Sequence, residues 1–141
     1  MTEAGQERSP LAEALAAVGD RWTLLVVEAL LDGPVRFNDL QAAITGIAPN
    51  ILIERLRRLE REGLAVAEPY SERPPRYVYE LTAAGRELAG ALRLLSDWGA
   101  RHREAEPVRH EACGTPLEAR WYCPTCEQPV DDPDEAGVHF A

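Results

Sequence analysis

The chain contains no lysine, a single methionine, two phenylalanines, and no cysteine before position 113. Every cation other than histidine is therefore arginine, the pattern a GC-rich coding bias produces. Arginine also suits bidentate phosphate and guanine contacts, but its abundance alone says little about partners. The lack of thiols removes disulfides and cysteine chemistry from the first 112 residues. No apolar run approaches the ~20 residues a bilayer span requires. The longest, Leu24 to Leu31, is interrupted by Glu28. No membrane partner is expected. The opening "MTEAGQERSP" has neither a basic start nor an apolar core, so it does not read as a secretory signal. The expectation is a cytoplasmic protein, whose thiols stay reduced.

The formal charge of −9 over 141 residues at first opposes nucleic-acid binding. Its distribution does not. Residues 20–103 hold twelve arginines against twelve acids and are neutral, whereas residues 104–141 hold nine acids against two arginines. The acidity belongs mostly to the tail.

Helix signals come first along the chain. "PLAEALAAVG" opens on Pro10 and closes at Gly19. Asp20 can cap "RWTLLVVEALLDG", and "RFNDLQAAIT" and "NILIERLRRLEREG" complete four helices. The last places Leu52, Leu56 and Leu59 on one stripe. The period then changes. "LAVAEPY" and "RYVYEL", joined by "SERPP", read as a hairpin. Thr82 caps one long helix reaching about Arg103, with Leu88, Leu92, Leu95 and Trp98 in a stripe; at the standard rise it spans ~33 Å. The expected divisions are a flexible segment at 1–8, a main domain at 9–106, a small module at 107–130 and an acidic tail at 131–141.

A short helix, a turn, a second helix and then a hairpin make a winged helix-turn-helix, mainly α with a small β-hairpin (α+β). In such a unit the second helix enters the major groove. Opposite the leucine stripe lie Asn50, Glu54, Arg57 and Arg61, flanked by Ile53 and Arg58. Asn50 suits adenine, Arg57 guanine, and Glu54 can accept from cytosine. The same helix reads equally well as an amphipathic helix with solvated charges, for example Glu54 with Arg58; the hairpin behind it tips the reading toward DNA. Arg73 and Arg76 flank Pro74-Pro75 at the hairpin tip, where two fixed φ angles stiffen the loop. Arg36, opening the third helix, can reach a phosphate or equally cap its own surroundings.

The runs "GDRWTLLVVEALLDGPVRFNDL", "GIAPNILIERLRRLEREGL" and "YSERPPRYVYELTAAG" closely resemble the HxlR-type winged helix-turn-helix transcription regulators, over residues 9–103. The resemblance implies a bacterial homodimer on double-stranded DNA, built through the first helix and the long helix after the wing. It implies repression as the usual outcome, with room for a small-molecule effector. Several members of the family carry a sensing cysteine just before the proline of the first helix. Here that place is Ser9, which excludes thiol sensing at that site.

The cysteines cluster in "RHEACGTPLEARWYCPTCEQ". His110-x2-Cys113 and Cys123-x2-Cys126, with nine residues between the pairs, match the spacing of a zinc ribbon. The cofactor expected is a structural zinc on His110, Cys113, Cys123 and Cys126, with His102 and His139 as alternatives to His110. A thioredoxin-like pair lacks its βαβ context, and a Cys–His hydrolase lacks an orienting third group. If His110 is not a ligand, an open zinc with a bound water returns. Outside the cysteines no acid–base or nucleophile constellation appears, so no enzyme is expected. Two other readings stay open: a protein–protein module docking through the acidic tail, and a thiol- or metal-responsive sensor using the three cysteines.

Overall fold

The computed structural model of the protein describes residues 9–130; the expected flexible segment 1–8, the acidic tail 131–141 and His139 lie outside them. The elements run α1 (Pro10–Val18), α2 (Arg21–Leu30), β1 (Val35–Arg36), α3 (Phe37–Ala43), α4 (Pro49–Arg61), β2 (Ala65–Glu72), β3 (Pro75–Leu81), α5 (Ala83–Arg86), α6 (Ala89–His102), β4 (Trp121–Cys123) and β5 (Gln128–Val130). The chain divides into two units between Leu92 and Arg93.

Local chemistry sets the helix ends. The Ser9 hydroxyl accepts the Ala12 N–H at 3.1 Å, and Pro10 occupies the first turn of α1. Asp20 caps α2 by accepting from Trp22 N–H at 3.1 Å and Thr23 N–H at 3.0 Å. Pro49 opens α4, which ends with Gly63 in left-handed backbone at φ 71°. Leu52, Leu56 and Leu59 are fully buried, as their stripe predicts, and pack with Val26, Val27 and Leu30 of α2 and Leu40 of α3.

The sheet is larger than a hairpin. β1 pairs antiparallel with β3, giving the order β1-β3-β2. Two residues after a Gly-Pro leave no period to read, so this strand is invisible in the sequence. β2 and β3 also run further than expected. Glu72 pairs with Pro75, which confines the turn to Arg73-Pro74 and brings Pro75 into the first position of its strand, where a missing N–H is tolerated. The register shifts between Pro69 and Ser71.

The long helix expected after Thr82 is two helices. The α5 turn tightens, with Leu88 N–H donating to the Gly85 carbonyl at 3.2 Å, before α6 begins. Two glycines, Gly85 and Gly90, weaken a continuous helix here. The apolar stripe divides as well. Leu88 and Leu92 join the core of the first unit, whereas Leu95 and Trp98 are 56% and 49% exposed. Leu92 is the last buried residue of the described chain, and the division between the two units falls inside α6.

Gly85 fastens the end of the sheet to the end of α4. Thr82 N–H donates to the Leu64 carbonyl at 3.0 Å, while the Thr82 hydroxyl donates to the Gly63 carbonyl at 2.7 Å and accepts from Gly85 N–H at 3.2 Å. A Cβ on Gly85 would overlap the Leu64 carbonyl oxygen. Gly85→Ala is therefore expected to destabilise the first unit by about 1–3 kcal/mol, the usual cost of overpacking. Urea unfolding measures this directly, and an unchanged midpoint would show that the contact relaxes freely.

Candidate nucleic-acid interface

The solvent face of α4 carries Asn50, Glu54, Arg57 and Arg61, all exposed. They sit opposite the buried leucines, as helical geometry requires. Ile53 is half-buried and lines a cleft of about 360 Å³ with Phe37, Asn38, Tyr70 and the wing residues Pro74, Pro75, Arg76, Tyr77 and Tyr79. The helix, the cleft and the wing thus form one continuous side of the first unit. Arg73 and Arg76 are exposed at and beside the wing tip. Among the described residues, Arg57, Arg61, Arg73 and Arg76 make no salt bridge. These arginines keep their charge available for phosphate or bases.

Arg36 and Arg58 occupy different surroundings. Arg36 belongs to β1, makes no side-chain cap to α3, and lies with its guanidinium 4.6 Å over the Tyr70 ring. This cation–π contact ties β1 to the wing strand. Arg58 turns inward. Its guanidinium donates to Asp20 at 2.7 Å and to the Ala16 carbonyl at 2.7 Å. The Glu54–Arg58 pair of the plain amphipathic alternative does not form; Glu54 pairs with Arg55 at 3.0 Å.

The link from Asp20 to Arg55, which positions α4, is one that sequence reasoning missed, since it read Asp20 only as a helix cap. Arg55 Nε donates to Asp20 at 2.9 Å, so one carboxylate caps α2 and holds two arginines of α4. The Thr23 hydroxyl, fully buried, donates to the same carboxylate. Burial pushes the Asp20 carboxyl up, but hydrogen bonds from Thr23 and Arg55 outweigh it and hold the group below the usual aspartate range. Burial pushes Arg55 down, and its bond to Asp20 more than reverses this. With Arg55 and Asp20 35 positions apart in the sequence, no local pattern announces the contact.

The second unit holds the cysteines in two places. His110 Nδ1 lies 3.3 Å from Cys113 Sγ. The Thr115 hydroxyl, 3.3 Å from that sulfur, and the Thr115 N–H pull the Cys113 thiol below its usual range. Cys123 ends β4, and hydrogen bonds from the backbone of Cys126 and Thr125 lower its pKa. The Cys126 thiol, bonded to Cys123, is raised. All three cysteines are free. The structure brings each pair together, but among the described residues no three of His, Cys, Asp or Glu are grouped to hold a metal. His102 is engaged elsewhere, its ring packed against Trp98 at a 37° tilt with centroids 5.2 Å apart.

The first unit is a winged helix-turn-helix with an arginine-bearing face. The chain belongs to the HxlR-like helix-turn-helix family, whose pattern matches residues 17–107. The HTH-type transcriptional regulator Rv3095 of Mycobacterium tuberculosis is 38% identical over 129 residues, covering 88% of this chain and 81% of the relative. YdeP of Bacillus subtilis, also an HTH-type transcriptional regulator, is 33% identical over 98 residues, covering 70% and 77%. Among solved structures, a transcription factor from Pseudomonas aeruginosa is similar with a TM-score of 0.67 and 32% identity, covering 86% of this chain and 85% of that one. The redox regulator HypR in its oxidized form has a TM-score of 0.62 and 30% identity, covering 68% and 99%. DNA-binding transcriptional regulation is the function these likenesses support. A match over 88% of the chain is too long to end at residue 107, so the mycobacterial likeness continues beyond it. No helix among the described residues is long and apolar enough to cross a membrane.

Proposed function

We propose that the protein is a sequence-specific transcriptional regulator, in the usual case a repressor, that binds double-stranded DNA as a homodimer. The observation that carries this reading is the exposed face of α4 with Asn50, Glu54 and Arg57, joined through the cleft at Ile53 to the wing, whose Arg73 and Arg76 are also exposed. α4 enters the major groove, Asn50, Glu54 and Arg57 read base edges, and Arg61, Arg73 and Arg76 hold phosphate or the neighbouring minor groove. Arg36 and Arg58 act through the fold: the first steadies the wing through Tyr70, and the second fixes α4 against Asp20.

Exposed apolar surface supports the dimer. In the first unit Leu11 and Leu15 of α1 are 67% and 50% exposed. In the second, Leu95 and Trp98 of α6 are uncovered too. A second copy of the chain would bury both faces. Two α4 helices would then read half-sites about one helical turn, ~10 bp, apart. For a small-molecule effector, a cleft of about 580 Å³ lies between α2 and the end of α3, lined by Leu25, Ala29 and Ile44 with Arg21, Glu28 and Asp32.

The test combines light scattering with DNA-binding titrations on the protein's own upstream DNA and a scrambled duplex over a range of salt. A dimer that prefers its own upstream DNA, with affinity falling linearly in log salt, is expected. A dimer that binds neither duplex at moderate salt would leave the reading of a protein-docking module instead.

A further inference from the structure

The second unit poses a folding problem that its side chains do not solve. Among its described residues none is buried, and Leu117, Trp121 and Tyr122 are all substantially exposed. A unit this small, without a core, needs a metal, a disulfide or a partner to hold it.

What the unit does have is the same turn twice. His110 and Cys113 are separated by two residues, as are Cys123 and Cys126. Each pair sits where the chain reverses between antiparallel segments: Arg109 bridges Pro116 around the first, and β4 pairs with β5 around the second. In the first turn His110 N–H donates to the Thr115 carbonyl at 2.8 Å, and Gly114 N–H donates to the His110 carbonyl at 2.7 Å. The residue directly after each second member has left-handed backbone, Gly114 at φ 71° and Glu127 at φ 55°. A glutamate in that region is uncommon, so the second turn keeps this shape against the preference of its own residue.

The spacing within the first pair is also that of a metal site. Ligands at ~2.0 Å (nitrogen) and ~2.3 Å (sulfur) on tetrahedral corners stand about 3.5 Å apart; His110 Nδ1 and Cys113 Sγ stand 3.3 Å apart.

We propose that the two turns are the halves of one zinc site, in which His110, Cys113, Cys123 and Cys126 close around a single Zn²⁺ and thereby hold the second unit folded. The two pairs stand on separate turns, and the metal supplies the attraction that joins them. On binding, three thiols release their protons to solvent. Three thiolates, one neutral imidazole and the dication then form a four-coordinate set of net charge −1, with no position left for a catalytic water. A Cys123–Cys126 disulfide would account for one turn and leave the matching His110–Cys113 turn without a purpose.

The test uses the full chain, purified without a tag or chelator. Elemental analysis is expected to find one zinc per chain. A mercurial thiol reagent should release that zinc as the three thiols react. Cobalt substitution should give thiolate-to-cobalt charge-transfer bands of a tetrahedral site without any mutation, so the result does not depend on a variant that folds. His110→Cys should keep one metal per chain and strengthen those bands. His110→Ala and Cys123→Ser should each lose stoichiometric zinc. Protein that carries no zinc and takes none from a stoichiometric zinc titration overturns the proposal, as does full zinc retention in Cys123→Ser. Full zinc affinity in His110→Ala overturns the four-ligand set.

Discussion

Asp20→Ala is expected to destabilise the first unit by about 2–4 kcal/mol and to weaken DNA binding as well. Two losses combine. The cap of α2 goes, at about 0.5–2 kcal/mol for such a change. The two α4 arginines it holds are also left without their acceptor. Removing one partner of a buried ion pair costs ~3–5 kcal/mol. Here the side chains of Asp20, Arg55 and Arg58 are 27%, 20% and 26% exposed, so water offsets part of that cost. For a domain of this size the sum corresponds to a drop of roughly 10–25 °C in Tm. Asp20→Asn separates the two losses, since it keeps an oxygen to cap α2 while losing the charge. A Tm for Asp20→Ala within a few degrees of the parent would show that Arg55 and Arg58 find other partners without cost.

The same carboxylate gives the unit a signature in acid. The folded pKa of Asp20 lies below its ordinary value of 3.8. Its contribution is therefore complete above that value, and is lost as pH falls from 3.8 through the lower folded value. Stability of the parent should fall through this window more steeply than that of Asp20→Asn, which has no group to protonate there.

How much of this was legible in the sequence depends on the range of each interaction. Leu52, Leu56 and Leu59 announce their buried face because helical period is a local property. Asp20 and Thr82 mark helix ends for the same reason, through bonds that span only a few residues, whereas the Ser9 cap of α1 is seen only in the structure. β1 has two residues and therefore no period, and the break between α5 and α6 comes from a tightened turn that the continuous stripe conceals. Arg58 shows the limit for the site. Its helical position placed it on the flank of the DNA face, and only the packing of α4 on α1 and α2 turns it to Asp20 and Ala16. Likewise the x2 spacing of the cysteine pairs was legible, whereas the left-handed backbone at Glu127 was not.

Arg57→Ala is expected to lower affinity for the specific DNA site by about 2–6 kcal/mol. Arg57 is exposed at the centre of the outward face of α4 and makes no salt bridge among the described residues. A good base contact contributes ~1–3 kcal/mol, and the proposed homodimer would make each contact twice. The loss thus amounts to roughly one to four orders of magnitude in Kd. Stability should change by no more than about 0.5 kcal/mol, the usual range for a surface substitution. This contrasts with Arg58→Ala, which breaks the Asp20 ion pair and should lower stability as well as binding. Salt dependence then assigns the role of Arg57. If it reads a base, binding to the specific site falls while the slope of log affinity against log salt stays nearly the same. If it holds a phosphate, specific and scrambled DNA weaken together, and the slope flattens by about 0.9 for each phosphate no longer neutralised. Affinity and slope both equal to the parent's would remove Arg57 from the interface and shift the reading of DNA to the wing.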